Sequence, residues 1–304
     1  MTFTVAMPGI IIWMSQGEAG RFAPDIELAA AEVNNFNPRR EECHPARGSI
    51  SPSCVHNHAD IKVVVVGDSH ANALVTGLAQ AAAITKSGVL EWTYSGCQFV
   101  SGMRKTPDLL ASMVGNHEYQ CDKFIEWTES HLGELPKTIP VVIIGRYSGA
   151  AFGENDSQQK AEVPNVYFSK IYEHTTNEFL AEFSGHITQS ACQIAKHRQV
   201  YLVRPVPEMG FHVPKTLSRH MILGMNDDLS IPVEFYLKRN AWVWAAQDAA
   251  RDQCGIRILD PTKYLCRNGR CYGSKEGRPL YIDSNHLSEF GNKLLVPMFV
   301  EVFK

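Results

Sequence analysis

The chain has 304 residues, 44% of them hydrophobic and 20% charged, with a formal net charge of −3. That length allows one large domain or two small ones. With no basic run and a slightly acidic balance, no nucleic-acid partner is expected. Internal repeats and low-complexity tracts are absent, and neither a G-x-G-x-x-G nor a P-loop pattern occurs, so no nucleotide site is expected, and no metal site is needed.

Residues 5–14, Val-Ala-Met-Pro-Gly-Ile-Ile-Ile-Trp-Met, form the only strongly apolar run. It is shorter than the roughly 20 residues that span a bilayer, and it lacks the basic start and cleavage site of a signal peptide. It reads either as a buried segment or as the last turns of a transmembrane helix with Trp13 at the interface. Residues 16–60 form a polar extension with a short helix near Ile26–Val33.

From Ile61 the chain alternates apolar runs with helical patterns. Strands are expected at Ile61–Val66, Val89–Tyr94, Ile139–Gly145, Gln199–Arg204 and Ile256–Leu259. Helices are expected at about Ala71–Thr85, Tyr119–Leu132, Phe168–His197 and Val233–Gln253, with a last amphipathic helix carrying Leu287, Phe290, Leu294, Leu295, Met298 and Phe299. Such alternation implies βαβ units, right-handed crossovers and a flavodoxin-like three-layer α/β/α sandwich on a five-stranded parallel sheet. Segments 146–167 and 205–232 are then expected to stand over the carboxyl edge of the strands and shape an acceptor site.

Two short stretches carry chemistry. In Ile61-Lys-Val-Val-Val-Val-Gly-Asp-Ser-His-Ala-Asn72, four valines form a buried strand, and Ala71, Leu74, Val75, Leu78, Ala79 and Ala82 then fall at helical spacing. Ser69 therefore lies on the strand-to-helix turn, with its amide at the positive helix end and Asp68 capping the bend. A serine so placed is a nucleophile once a base takes its proton. Near the other end, Asp283 precedes His286 by three residues, so one loop can aim the imidazole and set its tautomer. Alone, a Gly-Asp-Ser is usually a turn, and a D-x-x-H is as often a helix cap with a surface histidine. One stretch follows the first buried strand and the other precedes the last helix, which brings both to one edge of the sheet.

Gly67-Asp68-Ser69-His70-Ala71 with Asp283-Ser284-Asn285-His286-Leu287-Ser288 resembles the SGNH (GDSL-like) hydrolase and acyltransferase superfamily. Most similar is the periplasmic SGNH domain fused to acyltransferase family 3 membrane proteins, which O-acetylate bacterial surface polysaccharides. The resemblance spans roughly residues 20–304 and favours the transmembrane reading of residues 5–14. It implies a membrane-proximal stub over 1–22, an extension over 23–60 and a catalytic domain over 61–304.

The eight cysteines contain no C-x-x-C, which argues against a zinc ribbon or a thioredoxin-type pair. Cys43-His44 with Cys54, His56 and His58 makes a conceivable metal site. An even count in loop-like segments, and the compartment the resemblance implies, fit disulfides better. The expected pairs are Cys43–Cys54, Cys97–Cys121 and Cys266–Cys271, leaving Cys192 and Cys254 on neighbouring helices to meet. His56 and His58 are then expected to be solvated loop residues.

In the superfamily the oxyanion is held by amides of the serine and a second-block glycine, which map to Ser69 and Gly96. A third donor is commonly an asparagine after the third strand, where this chain reads Ile144-Gly145-Arg146-Tyr147-Ser148. The fused subgroup resembles this chain in having arginine there. Arg146 is thus an oxyanion donor, an acceptor-binding cation or a structural salt bridge. Arg204-Pro205-Val206-Pro207-Glu208 also resembles the subgroup and reads as loop architecture. The expected activity is acetyl transfer through Ser69, His286 and Asp283 to a polysaccharide hydroxyl, such as one of lipopolysaccharide O-antigen. The acetyl group would come from the membrane acyltransferase domain, and ultimately from acetyl-CoA. The same triad also suits a carbohydrate esterase. The expected location is the periplasmic face of the bacterial inner membrane.

Overall fold

The computed structural model describes residues 20–112, 118–155, 162–225 and 227–304. The apolar run at 5–14 lies outside them, and among the described residues no helix is long and apolar enough to cross a membrane.

Helix α1 (Pro24–Ala31) and edge strand β1 (Cys54–Asn57) precede the strand β2 (Ile61–Gly67). After it come α2 (Ser69–Ile84), β3 (Gly88–Thr93), α3 (Cys121–Glu134), β4 (Val141–Ile144) and α4 (Tyr147–Phe152). The chain continues through α5 (Asn177–Ala195), β5 (Val200–Val203), α6 (Val213–Ile222), α7 (Val233–Cys254) and β6 (Arg257–Leu259). It ends in short helical turns from Glu289 to Phe303.

The central sheet has the order β1-β3-β2-β4-β5-β6. The five expected strands run parallel in flavodoxin order, and β1 adds a sixth, antiparallel strand by pairing with β3. The valines of β2 explain its central place: Val63 and Val65 face one helical layer, Val64 and Val66 the other, and all four are fully buried. One layer packs Phe124 of α3, Phe179 and Phe183 of α5 and Val243 of α7. The other packs Leu74 and Leu78 of α2, Leu217 of α6 and Phe299 of the C-terminal turns.

Helix α5 starts nine residues later than the apolar pattern suggests. The Thr176 side chain accepts from the Phe179 N–H, a cap that sets the first turn. Upstream, Val166–Tyr167 is drawn into an antiparallel pair with Arg104–Lys105.

All four disulfides form: Cys43–Cys54, Cys97–Cys121, Cys192–Cys254 and Cys266–Cys271. Cys192 and Cys254 meet because α5 and α7 lie side by side on one face, with their Cα atoms 5.4 Å apart. Among the described residues, both groupings of potential metal ligands include Cys43, whose sulfur is bonded to Cys54 and offers no thiolate.

His56 departs from expectation. It lies on β1, where alternate side chains turn inward, and is 7% exposed. Its Nε2 is 2.7 Å from Glu91 Oε2 on β3, a partner that makes the burial possible. His58, two residues on, is exposed as expected.

Candidate active site

The turn after β2 is shaped by sterics first. Gly67 has φ +150°, and a Cβ there would lie 1.8 Å from the carbonyl oxygen of Ile144 on β4. Only glycine lets the two strands approach so closely where the chain leaves the sheet. Asp68 then caps α2, its Oδ1 accepting the His70 N–H at 2.9 Å. Its other oxygen accepts the Arg146 backbone N–H at 2.8 Å and the Gln98 Nε2–H at 2.8 Å. One carboxylate, 1% exposed, thereby ties the loops that follow β2, β3 and β4.

Ser69 is half-buried at the first position of α2. Its Oγ lies 2.7 Å from His286 Nε2, and His286 Nδ1 donates to Asp283 Oδ2 at 2.7 Å. Asp283 Oδ1 accepts the backbone N–H groups of Asn285 and His286, both at 2.8 Å. Burial pushes the Asp283 carboxyl up, but the hydrogen bond and charge of His286, with those two amides, hold it well below the usual carboxylate range. The 283–286 loop is braced from the segment after β5, where Met209 N–H donates to Ser284 O and Val213 N–H to Asp283 O. The residues expected to act together, 217 positions apart in sequence, therefore form one hydrogen-bonded line.

Gly96 lies in the loop after β3 with φ +62°. Among the described residues, no acceptor takes the N–H of Ser69 or of Gly96, which leaves both free to donate. Arg146 is placed differently. Its guanidinium donates through both Nη atoms to Glu154, at 2.8 and 2.9 Å, and through Nη2 to Glu208 at 2.7 Å. Glu208 is 4% exposed and also meets Arg239 at 3.3 Å. Burial lowers the arginine pKa, but the two carboxylates raise it well beyond its ordinary value.

Several residues around the site carried no separate signal in the sequence. Gln98 holds Asp68 and is itself fixed by Lys105 Nζ on its Oε1 at 3.2 Å; burial pushes that amine down to about 8. Glu91 collects Nδ2 of Asn72 and Oγ1 of Thr93, each at 2.7 Å, while Thr93 Oγ1 accepts from His44 Nδ1 at 2.8 Å. Burial, followed by the charge of Arg40, pushes His44 down to about 3. His70, beside Ser69 in the motif, packs its ring against His286 with centroids 4.7 Å apart.

A serine–imidazole–carboxylate line at the carboxyl edge of a flavodoxin-ordered parallel sheet defines an SGNH-type fold and site. The sequence matches the family described as SGNH domain (fused to AT3 domains) over residues 42–301, and the chain belongs to that family. The family places it among SGNH-type acyl-transfer and ester-cleaving enzymes. Among solved structures, the lipopolysaccharide acetyltransferase periplasmic domain of Salmonella ser. Paratyphi A is similar with a TM-score of 0.57 at 15% identity, covering 95% of this chain and 100% of that one. A putative G-D-S-L family lipolytic protein from Desulfitobacterium hafniense DCB-2 has a TM-score of 0.41 at 19% identity, covering 80% of this chain and 99% of that one. A Clostridium thermocellum family 3 carbohydrate esterase has 0.40 at 12%, covering 80% and 94%. No curated protein matches the sequence. The four disulfides fit an oxidising compartment such as the periplasm.

Proposed function

We propose that the chain is a serine-dependent O-acyltransferase domain that passes an acetyl group to a hydroxyl of a bacterial cell-surface polysaccharide. The observation that carries this reading is the continuous line from Ser69 Oγ through His286 to Asp283, with both links at 2.7 Å. Membership of a family fused to AT3 domains supports a membrane acyltransferase domain as the source of the acetyl group, ultimately acetyl-CoA. It likewise supports a place on the periplasmic face of the inner membrane. A lipopolysaccharide acceptor is suggested by the Salmonella neighbour.

In the first half-reaction His286 Nε2 takes the Ser69 proton as Oγ attacks the acetyl carbonyl. Asp283 keeps the imidazole in the tautomer that presents a bare Nε2 and stabilises the imidazolium that forms. The Ser69 and Gly96 N–H groups bind the oxyanion. The leaving group departs with the proton, and an acetyl-serine remains. In the second half an acceptor hydroxyl replaces the leaving group and the same steps run in reverse. Arg146, already bound to two carboxylates, acts as a brace of the rim.

Ser69→Ala is expected to end fluorophosphonate labelling and to lower p-nitrophenyl acetate turnover by on the order of 10⁴ or more, with an unchanged melting temperature. Near-wild-type turnover would refute the assignment. Adding an acetylatable oligosaccharide to the acetyl-serine separates transfer from hydrolysis: a transferase yields acetylated glycan, an esterase only acetate.

A further inference from the structure

His70 has no role in the chemistry above, yet it is 4% exposed and anchored at both ends. Its backbone N–H donates to Asp68, and its Nε2 lies 3.0 Å from Asn285 Oδ1. The Asn285 amide nitrogen donates to Ser284 Oγ at 3.0 Å, so its oxygen faces the ring and His70 Nε2 carries the hydrogen. The ring leans on His286 at an interplanar angle of 49°. Burial, then the neighbouring His286, push His70 down to about 4, so it stays neutral and adds no second charge beside the imidazolium.

Two side-chain hydrogen bonds join residues 69–70 to residues 285–286. The first, Ser69 Oγ to His286, is lost on acylation because an ester oxygen has no hydrogen to donate. The second survives. Other ties act farther out: Thr76 Oγ1 donates to Glu289 at 2.7 Å and accepts from Asn292 at 2.5 Å, which holds the helix after the loop. Met209 N–H holds Ser284 through its carbonyl oxygen. The link from the neighbour of the nucleophile to the neighbour of the base is His70–Asn285.

We propose that His70, through its hydrogen bond to Asn285 and its ring contact with His286, is a positioning residue that keeps the base in register with the acyl-serine while the acceptor attacks. The inference rests on the acyl-serine reading above. In this step the acceptor oxygen bonds to the acetyl carbon as its proton passes to His286 Nε2. The tetrahedral adduct then expels Ser69 Oγ, which recovers that proton. The first half-reaction has the Ser69–His286 bond to align it, and the second does not. Loss of His70 therefore slows deacylation more than acylation.

That asymmetry has a kinetic signature. When only deacylation slows, kcat and KM fall together and kcat/KM is preserved. With p-nitrophenyl acetate, His70→Phe and Asn285→Ala are each expected to give a burst approaching one equivalent, then a steady rate lower by up to roughly 10²-fold with KM lowered in proportion. The double variant should be no slower than the slower single, because both changes remove one bond. Asn285→Ala tests the idea should His70→Phe fail to fold. Unchanged turnover, a fall in kcat at constant KM, or additive losses would each overturn it. If rapid-quench intact-mass measurement finds no acetyl on Ser69 in wild type or in either variant, the acyl-serine reading falls and takes this inference with it. If wild-type acetylates and the variants behave like it, only this inference falls.

Discussion

Replacing Arg146 with alanine separates a brace from an oxyanion donor. The side chain is 14% exposed and meets the buried carboxylate of Glu208 at 2.7 Å. Its removal leaves a buried carboxylate with Arg239 at 3.3 Å as the remaining cation. Breaking a buried pair costs about 3–5 kcal/mol, and Arg239 places this case at about 3. At roughly 2–3 °C per kcal/mol for a chain of this size, the melting temperature should fall by roughly 6–9 °C. The loss should depend on pH. Burial raises the Glu208 carboxyl, but the charges of Arg146 and Arg239 lower it further, leaving it below its ordinary value. A depressed carboxylate stabilises the fold above its unfolded pKa, about 4.3, and that stabilisation is lost as pH falls through the folded value. The gap between wild type and Arg146→Ala should accordingly be full at neutral pH and narrow in acid. Calorimetry across pH with ester turnover per folded molecule measures both effects. Turnover within a few-fold of wild type fits a brace. A 10²–10³-fold loss of kcat at an unchanged melting temperature would refute it and return the guanidinium to the oxyanion.

Two further outcomes follow from the same geometry. Asp283→Asn should lower kcat by about 10⁴, because the amide can donate to His286 Nδ1 and favour the wrong tautomer, and a profile equal to wild type would remove Asp283 from the line. In urea unfolding, losing Cys192–Cys254 (separation 62) should cost about 4 kcal/mol and losing Cys266–Cys271 (separation 5) about 2 in the chain-entropy account; the reverse order would reject loop closure as their main contribution.

The parallel sheet was legible because β2 carries its signal locally: four β-branched residues, then glycine, then a helical period. The line from Ser69 to Asp283 was legible because both motifs are short and the fold rules put them on one edge. The edge strand β1 was not, since Cys-Val-His-Asn has no apolar alternation and is fixed by pairing with β3 and by the Cys43–Cys54 bridge. His56 was misjudged for the same reason. Its burial depends on Glu91, 35 residues away, and a single sequence does not show that pairing. The partners of Arg146 were equally invisible, because Glu154 and Glu208 come from two separate loops.

The two aspartates at the site show how one side chain takes two roles from its donors alone. Asp68 receives two backbone N–H groups and one amide, all neutral and unable to give up a proton at working pH. It can fix three loops, but it cannot follow a change of charge. Asp283 also receives two backbone amides, and its remaining oxygen meets an imidazole that, in the proposed reaction, gains and loses a proton. The amides fix where the carboxylate points, and the imidazole supplies the partner that changes. Asp68 thereby sets where Ser69 stands, and in the proposed reaction Asp283 sets what His286 can do. His70 is bonded to Asp68 at its backbone and to the neighbour of His286 at its ring, so it joins the fixed carboxylate to the loop of the responsive one.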